Sequence, residues 1–87
     1  MTATDDTIRA VIDEHGRLPV AISTLNDDDD LYEIGLSSHA SVNVMLGLEE
    51  AFEIEFPDAL LRKGTFRSVT AIREALGSLG VGVAELE

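Results

Sequence analysis

Apolar residues recur at helical spacing in three stretches of this chain, separated by polar and glycine-containing connections. In the first stretch Ile8, Val11, Ile12 and His15 stand at i, i+3, i+4 and i+7, which places them on one helical face. Thr4 is the expected N-cap, Asp5 and Asp6 suit the positive end of the helix dipole, and Gly16 is the expected stop. The second stretch starts near Ser38 and ends near Phe52 or Glu53. Val44, Leu48, Ala51 and Phe52 form its expected inward stripe. Val42, Met45 and Leu46 broaden its apolar character, so either the helix is central or a second patch meets a partner or ligand. Gly47 in mid-helix costs about 1 kcal/mol relative to Ala, which a gap or a close helix contact could offset. In the third stretch Ser68 is the expected cap, Val69, Ile72 and Leu76 the inner face, and Gly77 the stop.

The connections carry information too. Arg17 to Leu36 is a long link with Leu18, Val20, Ile22, Leu25, Leu31 and Ile34 spread through it, and Pro19 interrupts any early helix. Pro57 predicts a short helix from Asp58 to Arg62, ended by Gly64. No alternating strand and no repeat is apparent. The fold class expected is all-α: a small four-helix bundle with a short third helix and a long connection between helices 1 and 2. Residues 1–79 are expected to form one domain and 80–87 a flexible tail in which Val81, Val83 and Leu86 could still dock.

With 87 residues the chain supports one small core. Seventeen acidic residues against six basic ones give a net charge of −11. This disfavours nucleic acid, whose phosphates need Lys and Arg, and an anionic membrane surface. It favours basic protein partners, although solubility alone would also explain it. The balance is uneven: residues 1–60 hold 14 acids and two bases, residues 61–87 three acids and four bases. There is no cysteine, hence no disulfide framework and no thiolate metal site. The N-terminus lacks the basic start and apolar stretch of a signal peptide, and no apolar run reaches the ~20 residues of a membrane span. A cytoplasmic monomer is expected.

The run "NDDDD", Asn26 to Asp30, fits no frame of a calcium loop with Gly at position 6 and Glu at position 12. It reads as a solvated loop with N-cap character before Leu31. Catalysis finds no support either. His39 adjoins Ser38 but cannot readily act as its base, because adjacent helical residues do not face each other. "GLSSH" lacks the second glycine of a nucleophile elbow. No metal or catalytic residues are therefore expected. What remains is a pair of serines at the mouth of a helix, where unpaired N–H groups favour an esterified phosphate over a reacting nucleophile.

"DLYEIGLSSHASVNVMLGLEEAF", from Asp30 to Phe52, together with "IEFPD", from Ile54 to Asp58, resembles the acyl carrier protein family over roughly Asp5 to Leu79. Counting back from Phe52 and Pro57 places the family's modified serine on Ser38. The resemblance implies a 4′-phosphopantetheine arm, transferred from coenzyme A onto Ser38 by a phosphopantetheinyl transferase. The arm's thiol would carry an acyl or aminoacyl cargo as a thioester and present it to partner enzymes. Ser37 replaces the family's Asp and is the expected helix cap; His39 replaces its Leu. The neutral Ala40 and Asn43, and Leu60, Leu61, Arg62 and Lys63 in place of an acidic third helix, imply a specialised carrier and not the housekeeping fatty acid one. The "EEAF-IEFP" run is similar to a bacterial subgroup loaded by amino acid:carrier protein ligases; a lipid or polyketide carrier is the rival. His39, Ala40, Val42, Asn43, Leu46 and Glu50 are the expected partner contacts, led by Val42 and Leu46. An unmodified protein-binding adaptor with the carrier fold is the alternative from another class.

Overall fold

The computed structural model describes residues 3–81. Among these are four α-helices: α1, Ala3–His15; α2, Leu31–Ile34; α3, Ser38–Phe52; and α4, Val69–Ser78. Three 3₁₀ turns, Ile22–Thr24, Asp58–Leu60 and Lys63–Phe66, complete the described elements, and no strand occurs among them. None of the helices is long and apolar enough to cross a membrane.

α1 packs against both α3 and α4. Its expected face is realised in Ile8, Val11 and Ile12, all buried, with His15 half-exposed at the end. Gly16 ends the helix, its N–H donating to the Ile12 carbonyl at 2.7 Å. Thr4 is not the N-cap: the helix begins at Ala3, and Thr4 and Asp5 are buried within its first turn. The reason is tertiary. Asp5 accepts from Arg73 of α4 at 3.0 Å, which draws the first turn onto the bundle.

Gly47 of α3 marks the closest approach to α1. A Cβ there would stand 2.7 Å from His15 Cδ2 and 2.9 Å from Val11 Cγ1. The helix contact therefore explains a glycine in mid-helix. α3 buries Ala40, Val44 and Leu48, with Phe52 partly covered. Ala51, expected inward, is exposed because the buried row advances in steps of four and leaves it on the flank.

The predicted third helix, Asp58 to Arg62, forms in part, as the three-residue 3₁₀ helix Asp58–Leu60. Pro57 is its N-cap, and Leu61 then leaves helical geometry at φ −83°, ψ 65°. Leu61 is also 47% exposed, so no apolar stripe holds an α-helix there. Gly64 lies inside the following turn and does not end the first one. Phe66 anchors this segment, buried edge-on against Phe56 with ring centroids 5.4 Å apart.

α4 starts as expected. Ser68 Oγ accepts from Ala71 N–H at 3.0 Å, and Val69, Ile72 and Leu76 are fully buried. The helix runs past Gly77 to Ser78, and Gly80 takes the left-handed turn at φ 89°. That turn lets Val81 N–H reach the Leu76 carbonyl at 3.0 Å, and Val81 packs on the core. Val83 and Leu86 lie outside the described residues.

The long connection holds the main departure from expectation. It contains α2, and its acid run is not merely solvated. Asp27 accepts from Arg9 of α1 and from Arg73 of α4 at 3.4 Å. Its carbonyl accepts from Thr70 N–H at 3.0 Å, and Asp28 accepts from Thr70 Oγ1 at 2.8 Å. Asp29 accepts from Asn26 N–H, and Asp30 caps α2 by accepting from Tyr32 and Glu33 N–H. Leu31 N–H donates to the Arg67 carbonyl at 2.7 Å. The acids thus tie the loop to the first turn of α4 and to α1.

The hydrogen bond from Arg9 is the largest influence on the Asp27 carboxyl. With Arg73 it holds that group below its ordinary value, against the upward push of burial. A depressed folded value contributes stability that is fully present above the unfolded carboxylate value of about 4 and is lost as pH falls through the lower folded one. Asp27→Asn is expected to lower thermal stability at pH 7 and to flatten the acid limb below about pH 4, read by circular dichroism melts across pH. Gly47→Ala is expected to destabilise by about 1–3 kcal/mol despite its better helix propensity, because buried Val11 cannot move aside. Urea unfolding measures it.

Candidate functional site

Leu31 and Leu36 are buried, and the short helix between them is closed by Gly35 at φ 140°. Both Gly35 and Leu36 N–H donate to the Leu31 carbonyl, at 3.1 and 2.9 Å. A Cβ on Gly35 would come within 3.0 Å of Pro19 Cδ, so the turn requires glycine on two counts. This turn delivers the chain to Ser37 in extended geometry, φ −82°, ψ 162°. Ser37 Oγ accepts from Ala40 N–H at 3.0 Å and is the N-cap of α3.

Ser38 is the first residue of α3 and is exposed. Its carbonyl accepts from Ser41 Oγ at 2.7 Å. Its own hydroxyl makes no hydrogen bond among the described residues, while Ser37 and Ser41 are both engaged. The two adjacent serines therefore differ: one closes the helix end and the other offers a free hydroxyl beside the positive end of the helix.

The other candidates divide. His39 and Glu50 are exposed and Asn43 is half-buried. Val42 and Leu46 are 49% and 52% exposed, large apolar side chains turned to solvent on one face of α3. Ala40 does not face out: it is buried, because it heads the row that continues through Val44 and Leu48.

A groove of about 420 Å³ opens at Ser38. Val42, Met45, Leu61 and Phe66 give it apolar walls. Tyr32 and Ser41 add polar edges, and Arg62 and Lys63 complete the lining. Lys63 Nζ lies over the Tyr32 ring, 4.7 Å from its centroid. Sequence reasoning missed the groove, since it joins α2, α3 and the turns after Pro57. The adjacent bases Arg62 and Lys63, placed where an acidic segment was expected, were the available signal.

The arrangement is a helical bundle that displays one unengaged hydroxyl at a helix mouth, beside a small apolar groove. Such geometry suits a scaffold for a covalently attached phosphate ester. Residues 6–77 match the family described as the phosphopantetheine attachment site, and the chain belongs to that family. It is 51% identical over 70 residues to the aminoacyl carrier protein of Agrobacterium fabrum, covering 80% of this chain and 84% of the relative. It is also similar to a carrier protein from Agrobacterium tumefaciens crystallised with an engineered Bradyrhizobium japonicum glycine:[carrier protein] ligase and AMP. There the identity is 49% and the TM-score 0.82, over 84% of this chain and 97% of the other. A solution structure of an Agrobacterium tumefaciens protein aligns at 47% identity and TM-score 0.70, over 90% of this chain and 94% of the other.

Loss of the cap should be separable from loss of the hydroxyl. Ser37→Ala is expected to cost about 1 kcal/mol of stability, measured by urea unfolding, because Ala40 N–H loses its acceptor.

Proposed function

We propose that this chain is an aminoacyl carrier, modified with 4′-phosphopantetheine on Ser38. The observation that carries this reading is the exposed, unengaged Ser38 hydroxyl at the first position of α3, within a segment matched to the phosphopantetheine attachment family. The helix N-terminus suits the ester's negative charge, and the groove beside it has room for the arm. When bound, the group supplies the thiol on which cargo rides as a thioester. The chain's own part is to hold the attachment point rigid and to present a docking face; it supplies no catalytic group.

The choice of an amino acid as cargo is supported by the 51% identity to an aminoacyl carrier protein. Likeness to a carrier crystallised with a glycine:[carrier protein] ligase supports an amino acid:carrier protein ligase as the loading partner. The cargo then passes to a downstream acceptor enzyme. Val42 and Leu46 are the centre of the docking face, since they are large, apolar and half-exposed without being needed in the core.

Incubation with a phosphopantetheinyl transferase and coenzyme A is expected to add one phosphopantetheine to the wild-type mass and none to Ser38→Ala. Addition of a ligase, ATP and its amino acid should then add one aminoacyl group. No adduct on the wild type would leave the unmodified adaptor reading in its place. Val42→Asp and Leu46→Asp are expected to keep the melting temperature of the wild type. They should lower kcat/KM for loading about tenfold or more, measured with the modified protein as the varied substrate.

A further inference from the structure

Six basic residues serve a chain with 17 acidic ones, and three of them form ion pairs among the described residues. Arg9 and Arg73 pair with Asp27 and Asp5, and Arg67 Nε lies 3.8 Å from Asp30. Arg62 and Lys63 differ. Neither forms an ion pair among the described residues, both are exposed, and both line the groove that opens at Ser38. No acidic side chain is among the described residues lining that groove. In so acidic a protein, the attachment serine shares its groove with two unpaired cations and no anion.

Each cation is also held in place. Arg62 Nε donates to the Ala59 carbonyl at 2.7 Å, which fixes the side chain and leaves its two terminal nitrogens without a protein partner among the described residues. Lys63 is steadied over the Tyr32 ring. A guanidinium whose two terminal nitrogens are free can meet two phosphate oxygens at once, and an ammonium supplies a compact second charge.

We propose that Arg62 and Lys63 are positioning residues that seat the phosphodiester of the arm on Ser38, holding the base of the arm along the groove. This rests on the reading of Ser38 as the attachment point. The diester carries a full negative charge and lies, by its linkage, next to the Ser38 oxygen. The apolar walls from Val42, Met45 and Leu61 then lie under the uncharged part of the arm.

The test compares unmodified and modified protein for the wild type, the double variant Arg62→Gln/Lys63→Gln and the charge-conserving Arg62→Lys/Lys63→Arg. Both side chains are exposed, so the unmodified forms should melt alike. In the wild type, modification is expected to raise Tm by about 2–4 °C at low salt. Most of the gain should vanish at about 1 M salt, where the Debye length is about 3 Å. The glutamine variant should lose most of the rise and the charge-conserving variant should keep most of it. The ³¹P resonance and the amide shifts of Lys63 to Phe66 should change on modification in the wild type, and much less in the glutamine variant. An equal Tm rise and equal shift changes in the wild type and the glutamine variant would overturn the proposal while leaving Ser38 as the attachment point. Absence of any adduct on Ser38 would overturn both.

Discussion

Asp27 joins three parts of the molecule that the chain order keeps apart. Its carboxylate receives Arg9 from α1 and Arg73 from α4, and its carbonyl receives Thr70 N–H at the start of α4. Four residues later the chain enters α2, and at Leu36 and Ser37 it enters α3. The clamp therefore sets where a connection of some twenty residues meets the bundle, and from there where the mouth of α3 opens. A loop of this length would otherwise move freely. Arg9 strengthens the joint by donating to the Ile22 and Leu25 carbonyls as well, at 3.2 and 3.0 Å.

Burial and the clamp do different work. Ile8, Ile12, Leu31, Leu48, Ile72 and Leu76 are essentially inaccessible to solvent. Each contributes about 1.5–3 kcal/mol of transfer free energy, far more than a half-exposed ion pair. Burial thus holds the helices together, but apolar contact is non-directional. Direction comes from the polar groups at the helix ends: Asp30 on α2, Ser37 on α3 and Ser68 on α4. Glu49 adds a fourth at the exit of α3, where its carboxylate accepts from Phe56 N–H at 2.9 Å and turns the chain toward the groove. The site is the product of these end contacts. Ser37 is spent on capping, and the Ser38 hydroxyl is left with nothing to bond within the described residues.

The three long helices were legible in the sequence because each has an apolar row at helical spacing, and α3 and α4 also have recognisable caps. Ser68 was read as a cap from its position and Ser37 from the Asp that it replaces in the family resemblance, and Gly47 was read as marking a gap or a close helix contact. Errors arose where tertiary contact decides. Thr4 was misread because Asp5 reaches for Arg73, a pairing between residues 68 apart in the chain. The acid run looked solvated because its partners, Arg9, Thr70 and Arg73, come from both ends of the chain. Asp58 to Arg62 looked helical because Pro57 is a good helix start, yet no buried stripe follows it. Ala40 was placed outward beside Ser38 with Val42, Asn43, Leu46 and Glu50, although the steps of four through Val44 and Leu48 put it in the core. The groove had no local signature beyond the adjacent bases Arg62 and Lys63, since its walls are drawn from three separate segments.

Everything functional in this account depends on the difference between adjacent serines. The most direct test is fragmentation mass spectrometry of the peptide spanning Ser37 to Ser41, taken from protein modified by a phosphopantetheinyl transferase. The phosphopantetheine is expected on Ser38 alone, because Ser37 and Ser41 have their hydroxyls engaged in the helix mouth. A group found on Ser37 or Ser41, or an unmodified peptide, would contradict it.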